Sequence, residues 1–325
     1  MILCITHSQD SYPVDWVAAH LEHLGHALLR FNSDQFPLSA GLSGEINQAT
    51  HQAMTDLTIE GADVSSKAIS AVWHRKNALA DLTSCLHGDT LQQAARESEA
   101  IKQGVLHSLD SLFWLDPPAK QKQAENKWLQ LQLAQHVGLA VPDTLFTNQP
   151  ERVRQFFQRC QGQVVVKMHT PLMSSMGKPG QFVYTSRLEK AHLDSLDSLK
   201  FSPMIFQRQI EKAQEIRAVY VDGVLMCASI LGRVQSGEAL VDWRKADPQL
   251  SSWQPAQLPP DVHQAVHRLM QKLQLKFGAI DFIVDHDNTP YFLEVNPAGE
   301  WGMLEQTLGL PISRHIAETL VKYAR

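Results

Sequence analysis

The stretch Gly278-Ala-Ile-Asp281-Phe-Ile-Val-Asp285-His-Asp-Asn-Thr-Pro290-Tyr-Phe-Leu-Glu294-Val-Asn296-Pro constrains this chain more than any other. Two apolar runs flank a polar turn, the pattern of an antiparallel hairpin. With His286 to Thr289 as the turn, Asp285 pairs with Pro290, and counting back sets Asp281 directly opposite Glu294. Opposed residues hold their Cβ atoms about 4.5–5.5 Å apart, where like charges repel. Val295 points the other way, so Asn296 shares the face of Glu294. Ile280, Phe282, Ile283, Phe292 and Leu293 leave little room for solvent, and nothing nearby is basic enough to neutralise the acids. A hard dication is then the natural counter-charge, and an all-oxygen donor set favours Mg²⁺ over zinc. The plainer alternative is an exposed acidic pair on a hairpin surface.

The rest of the chain reads as α/β. Ile2 to Thr6 is a buried first strand, a helix with apolar residues Val14, Val17, Ala18, Leu21 and Leu24 stops at Gly25, and Ala27 to Phe31 is a second strand. Strand-helix-strand implies parallel pairing. Strand-like pieces at 44–46, 56–59 and 68–74 precede a long helical pattern from Leu91 to Leu112, which Asp116-Pro-Pro118 breaks. Helices follow at 123–136, ended by Gly138, and at 151–160, then a strand at 163–167. Thr170 to Gly180 is dense in Gly, Pro and Ser, a candidate lid before a strand at 181–185. Beyond it lie strands at 204–210, 216–221 and 224–231, with Asp222-Gly223 as a hairpin turn, then a helix at 260–275, the acidic hairpin and two closing helices. These breaks divide the chain into 1–117, 118–200 and 201–325.

With 325 residues, 44% hydrophobic and 19% charged, the chain can bury a sizeable core without disulfide staples. Its 29 Lys and Arg against 34 Asp and Glu form no basic run, which argues against nucleic acid. Cys4, Cys85, Cys160 and Cys227 are scattered and suit a reducing cytoplasm. No apolar run approaches the ~20 residues that cross a bilayer, and the first residues have no positive segment or cleavage site of a signal peptide.

A phosphate partner for Mg²⁺ requires cations. Lys167 ends the apolar strand Val164-Val-Val166, where a charge is costly unless a ligand sits beside it, though a solvated strand end reads as well. Lys127 stands on an amphipathic helix, where surface is the commoner role. Strand parity puts Arg217 and Glu215 on the face opposite Ile216, and Arg244 follows an apolar run; either arginine suits phosphoryl oxygens or a salt bridge. His263 and His267 have metal-ligand spacing but lack the Glu of a His-Glu-x-x-His motif, so a solvated helix face is the better reading.

In combination, Lys127, Lys167, the Gly-containing flap, Phe206-Gln-Arg-Gln-Ile210, Glu215-Ile-Arg217, Gly278-Ala-Ile-Asp281 and Phe292-Leu-Glu-Val-Asn296 resemble the ATP-grasp ligases from about Lys127 to the end. Arg30-Phe-Asn-Ser-Asp-Gln-Phe-Pro37, Val241-Asp-Trp-Arg244 and Leu293-Glu-Val-Asn-Pro-Ala-Gly-Glu-Trp301 further resemble ribosomal-peptide maturases of the microviridin type. The flap departs from many relatives in having only Gly177 and Gly180.

The resemblance implies an ATP-grasp fold behind an N-terminal pre-ATP-grasp α/β domain. It implies ATP between two lobes, with Lys127 and Lys167 on the phosphates and Gln207, Gln209, Ile210 and Glu211 in the nucleotide hinge. Asp281, Glu294 and Asn296 would hold two Mg²⁺, and Arg217 and Arg244 would stabilise an acyl phosphate formed on a carboxylate of a ribosomal precursor peptide, leader plus core. A hydroxyl or amine then closes an ω-ester or ω-amide ring, and a homodimer is implied. Two other readings share these residues: a ligase adding a free amino acid to a peptide terminus, and a catalytically silent peptide binder closed by nucleotide.

Overall fold

Strand β1 (Ile2–Thr6) is buried at every residue, as a strand covered on both faces must be. In the computed structural model, which describes residues 1–49, 52–168, 185–231, 234–235, 238–239 and 253–324, it is followed by α1 (Tyr12–His23) and β2 (Leu28–Asn32). Gly25, at φ +79°, makes the left-handed turn between them. Strands β3 (Gly41–Asn47), β4 (Gln52–Ile59) and β5 (Ala62–Ser65) form a separate antiparallel sheet. The chain then returns through β6 (Ala71–His74), α2 (Gly88–His107) and β7 (Phe113–Leu115) to complete a parallel sheet of order β2-β1-β6-β7.

Two expectations change here, and one strand was not expected. The helical pattern expected to run to Leu112 ends at His107, because tight turns closed by Leu109 N on Leu106 O (3.0 Å) and Leu112 N on Leu109 O (2.9 Å) lead the chain into β7. β5 carries too few apolar residues to announce itself, with only Val64 half-buried. The helix expected at 123–136 is two, α3 (Pro118–Ala124) and α4 (Lys127–His136), because Asn126 accepts a hydrogen bond from Leu129 N (3.2 Å) and starts a new helix.

A smaller antiparallel lobe follows. Its strands β8 (Thr144–Thr147), β9 (Val164–Lys167), β10 (Ser186–Arg187) and β11 (Met204–Arg208) take the order β10-β9-β11-β8, with α5 (Pro150–Arg159) packed behind. The expected flap, Thr170 to Gly180, lies outside the described residues, as does most of the strand expected at 181–185.

The central sheet contains β12 (Lys212–Val221) and β13 (Val224–Leu231), joined at Asp222-Gly223 by two residues of positive φ. A short ladder of β14 (Val234–Gln235) and β15 (Glu238–Ala239) follows, then β16 (Gln254–Ala256), α6 (Pro260–Leu273), β17 (Phe277–Asp285), β18 (Pro290–Asn296), α7 (Gly302–Leu308) and α8 (Ile312–Tyr323). The sheet order is β16-β13-β12-β17-β18. Its alternating residues divide between two cores. Ala218, Tyr220, Ile280, Phe282 and Val295 pack under α4 and α6. Val219, Val221 and Phe277 join Ile2 and Trp73 of the first sheet, Val17 of α1 and Ile316 and Leu320 of α8. The first domain is therefore fused to the central sheet through a common core.

Asp116 strengthens that fusion. Immediately after β7, its carboxylate accepts the main-chain N–H groups of Lys276 (3.0 Å) and Phe277 (2.9 Å) at the start of β17. Burial pushes its pKa up to about 7, outweighing those N–H groups and the Lys276 ammonium, which pull it down. A folded-state pKa above the ordinary value of 3.8 contributes stability that is complete below 3.8 and is lost as pH rises through about 7. Denaturant titrations should therefore show wild type losing stability relative to Asp116→Asn between those two pH values. A difference constant across that window would refute the assignment.

Candidate active site

The period of two along β12, β17 and β18 builds the site. Ile216, Ile280 and Val295 face the core under α4 and α6, so Glu215, Arg217, Asp281, Glu294 and Asn296 lie on the opposite face. The ladder sets Arg217 beside Asp281, and Asp281 directly opposite Glu294. Ala279 opposes Asn296 one step along.

The opposition of the two acids is as expected, but the route to it differs. Val284, not Asp285, pairs with Pro290. Asp285 instead caps its own loop, its Oδ1 accepting the N–H groups of Asp287 (3.0 Å) and Thr289 (2.8 Å). An irregularity next to Phe282 leaves Leu293 as an extra residue in β18 and restores the pairing before Asp281.

The absence of a nearby base does not hold. Arg217 Nη1 donates to both oxygens of Asp281 (2.7 and 2.8 Å), and Lys127 Nζ donates to Glu294 Oε2. Both cations come from elements remote in sequence, so the hairpin alone could not reveal them. The four groups are close to electrically neutral together. The argument for a metal from missing counter-charge therefore falls, and what stands is the donor set. Two opposed carboxylates and the exposed Asn296 amide give oxygen ligands on one face, which fits a hard dication that keeps phosphate oxygens in its shell. Asn296 Oδ1 also accepts Ala298 N (3.1 Å), which fixes its rotamer. Among the described residues no three His, Cys, Asp or Glu form a metal cluster. His267 is tied to Tyr220 OH (2.9 Å) and Gln271, as befits a structural histidine.

Two further acids and a second arginine, whose joint role sequence reasoning missed, surround the loop after Asn296. Arg75, one residue past β6, has a side chain only 1% exposed. It donates to Ala298 O (3.2 Å), Gly299 O (3.3 Å) and Glu300 Oε2 (2.8 Å), and lies 3.6 Å from Asp10. Lys76 binds Glu300 as well. Burial would raise the pKa of Asp10 and Glu300, but Arg75 and Lys76 hold both carboxyls below their usual range. From the other side Arg217 Nη2 donates to Glu300 O (3.1 Å). The one available signal was a pair of cations, Arg75-Lys76, at the end of an apolar strand.

The remaining candidates lie on the small lobe and its exit. Lys167 ends β9 opposite Ile205 of β11. Gln207 is buried and donates to Thr144 Oγ1 (3.0 Å). Gln209 N donates to Gln163 O (3.0 Å), while Ile210 and the exposed Glu211 connect β11 to β12. The buried Gln209 Oε1, Arg208 Nε and Arg217 Nε have no hydrogen-bond partner among the described residues. Unmet buried donors and acceptors are costly, and a carbonyl oxygen in the hinge suits an exocyclic amine such as that of adenine. Arg244, like the Val241-Asp-Trp-Arg244 segment, lies outside the described residues.

Residues 1–122 match the MvdD pre-ATP grasp domain, and residues 124–320 match the RimK-like ATP-grasp domain. The chain is similar to macrocyclase MdnC of Microcystis aeruginosa, solved with precursor peptide MdnA, at 34% identity and TM-score 0.88 over 99% of each chain. Macrocyclase MdnB of the same organism is 37% identical over 98% of each, with TM-score 0.83. A ligase associated with ribosomal peptides from Chryseobacterium gregarium, solved with ADP and leader and core peptide, is 31% identical with TM-score 0.90, covering 100% of this chain and 97% of that one. A curated D-alanine–D-alanine ligase of Pelotomaculum thermopropionicum is 23% identical, and the match spans 60% of this chain and 64% of that enzyme.

Gly299 shows how tightly the loop is seated. A Cβ there would lie 2.5 Å from Ala279 Cβ and 3.1 Å from both Arg217 Nη2 and Asn296 Cβ. Gly299→Ala should lower the unfolding free energy by about 1–3 kcal/mol, measured by urea denaturation. An unchanged midpoint would mean that the loop does not press on Arg217 and Asn296.

Proposed function

We infer the function from one premise: the chain belongs to the RimK-like ATP-grasp family, here joined to an MvdD-type pre-ATP-grasp domain. It acts as an ADP-forming carboxylate ligase that closes ω-ester or ω-amide rings within a ribosomal precursor peptide. The observation that carries this reading is the extent of its likeness to MdnC, MdnB and the Chryseobacterium enzyme, which runs through both domains at 31–37% identity. The amino-acid ligase likeness stops at 60% of the chain.

The chemistry is balanced by ATP. An Asp or Glu side-chain carboxylate of the peptide attacks the γ-phosphorus and ADP leaves. A hydroxyl or amine of the same peptide then attacks the acyl carbon, phosphate leaves and the nucleophile's proton is released. The peptide loses one water per ring. In this reading Lys127 and Lys167 bind phosphate oxygens, and the segment from Gln207 through Gln209 and Ile210 to Glu211 receives the base. Arg217, already oriented by Asp281 and Glu300 O, presents its unpartnered Nε as a donor to the developing oxyanion. Arg244 is the second such guanidinium. Asp281, Glu294 and Asn296 would hold Mg²⁺, which would supply charge neutralisation at a transferring phosphoryl group. A reducing cytoplasm suits the four free thiols. No helix among the described residues is long and apolar enough to cross a membrane.

The test is the intact mass of a precursor peptide encoded beside the gene, after incubation with ATP, Mg²⁺ and enzyme. Loss of one or more waters is expected, and Asp281→Asn should slow it by about 100-fold or more. A gain of one amino-acid residue would replace this reading with terminal ligation. An unchanged mass without ADP release would refute catalysis.

A further inference from the structure

Glu294 and Asn296 sit on an edge strand. In the central sheet β18 pairs with β17 on one side only, and an outer edge bends more readily than a strand paired on both sides. That edge is secured at two points. Phe292 N donates to Ala140 O (2.8 Å). Further along, Gln130 of α4 binds Val295 through both ends of its side-chain amide: Val295 N donates to Gln130 Oε1 (2.8 Å), and Gln130 Nε2 donates to Val295 O (2.8 Å). The amide thus imitates the missing neighbouring strand at a single residue.

Val295 lies between the two proposed ligands. Its N–H belongs to the peptide plane that ends on the Cα of Glu294, and its C=O to the plane that begins the Cα of Asn296. Two hydrogen bonds from one side chain therefore fix the rotation of both planes. Gln130 is only 1% exposed, and its Nε2 donates as well to Ala124 O at the end of α3 (2.5 Å), so it cannot swing away without stranding buried polar groups. Lys127, one helical turn earlier on the same face of α4, holds the carboxylate of Glu294 itself.

We propose that Gln130 is a positioning residue for the divalent-cation site, setting the separation of the Glu294 and Asn296 oxygens through the Val295 main chain. The inference rests on the metal reading above. Supporting residues of this kind change metal affinity without touching the ion.

The experiment titrates full-length, ADP-loaded enzyme with Mn²⁺ and reads the free ion by electron paramagnetic resonance. Gln130→Met, of similar length and without polar atoms, should weaken Mn²⁺ about 10- to 100-fold while the affinity for ADP in EDTA changes less than about twofold. Gln130→Glu serves if the Met variant fails to fold by circular dichroism. A buried carboxyl has a raised pKa, so lowering pH from about 8 to about 6 protonates it, restores the donor to Val295 O and strengthens Mn²⁺ binding relative to wild type. Unchanged Mn²⁺ affinity in a folded variant overturns the proposal. So does an equal loss of ADP affinity in EDTA, which marks a structural role alone. Wild-type enzyme that binds no Mn²⁺ overturns the metal reading itself, and the proposal with it.

Discussion

Two buried guanidinium groups hold one loop, and much of the molecule is arranged around that fact. Arg75 reaches residues 298–300 from the first sheet, and Arg217 reaches Glu300 O from the central sheet. A buried charge is tolerable only when paired and hydrogen-bonded. Asp10 and Glu300 meet that need for Arg75, and Asp281 meets it for Arg217. The requirement couples three things: the docking of the first domain, the course of the loop and the orientation of Asp281. Charge-assisted hydrogen bonds of this sort contribute about 1.5–3 kcal/mol each, enough that the loop and the two sheets behave as one unit.

Four residues of the segment Asn296-Pro-Ala-Gly-Glu-Trp301 then have a physical account. Asn296 offers an oxygen on the site face, Gly299 has no room for a side chain, Glu300 accepts Arg75 and Lys76, and Trp301 is wholly buried in the core that the two sheets share. Gly302 continues the pattern, since a Cβ there would meet Tyr12 of α1 at 2.6 Å. One short run thus lines the candidate site and forms the seam between domains. Its constraint is steric in some positions and electrostatic in others.

Local pattern disclosed part of this and no more. The acidic hairpin was legible because strand parity and register are local, and its two departures offset each other: the turn is one residue longer, and the extra Leu293 restores Asp281 opposite Glu294. The helix break at Asn126 was legible in principle from a capping residue, yet the apolar spacing on either side concealed it. The counter-ions were not legible. Arg217 is separated from Asp281 by 64 residues and Lys127 from Glu294 by 167, and only the ladder and the α4 packing bring them together. Gln130 was invisible for another reason, since a glutamine on an amphipathic helix has no signature of burial and this chain is rich in glutamine.

Glu294 and Asn296 lie on the rim strand β18, beside Asp281 of the interior strand β17, so one side of the site is open. β17 is paired on both sides, and Asp281 receives its cation from the neighbouring strand, Arg217 of β12. At the rim, α4 lies beside β18 and sends Lys127 across to Glu294. The same exposure removes hydrogen bonds that keep a strand rigid, and under the proposed metal reading the oxygens of Glu294 and Asn296 would need a fixed spacing for a small, geometrically strict ion. Access and rigidity therefore conflict at this strand. The conflict is resolved by supplying substitute partners from outside the sheet, Ala140 O at Phe292 and the Gln130 amide at Val295, on either side of the bulge and the carboxylate. The bulge lets β18 turn its acid toward Asp281, and the two pins keep that turn from relaxing.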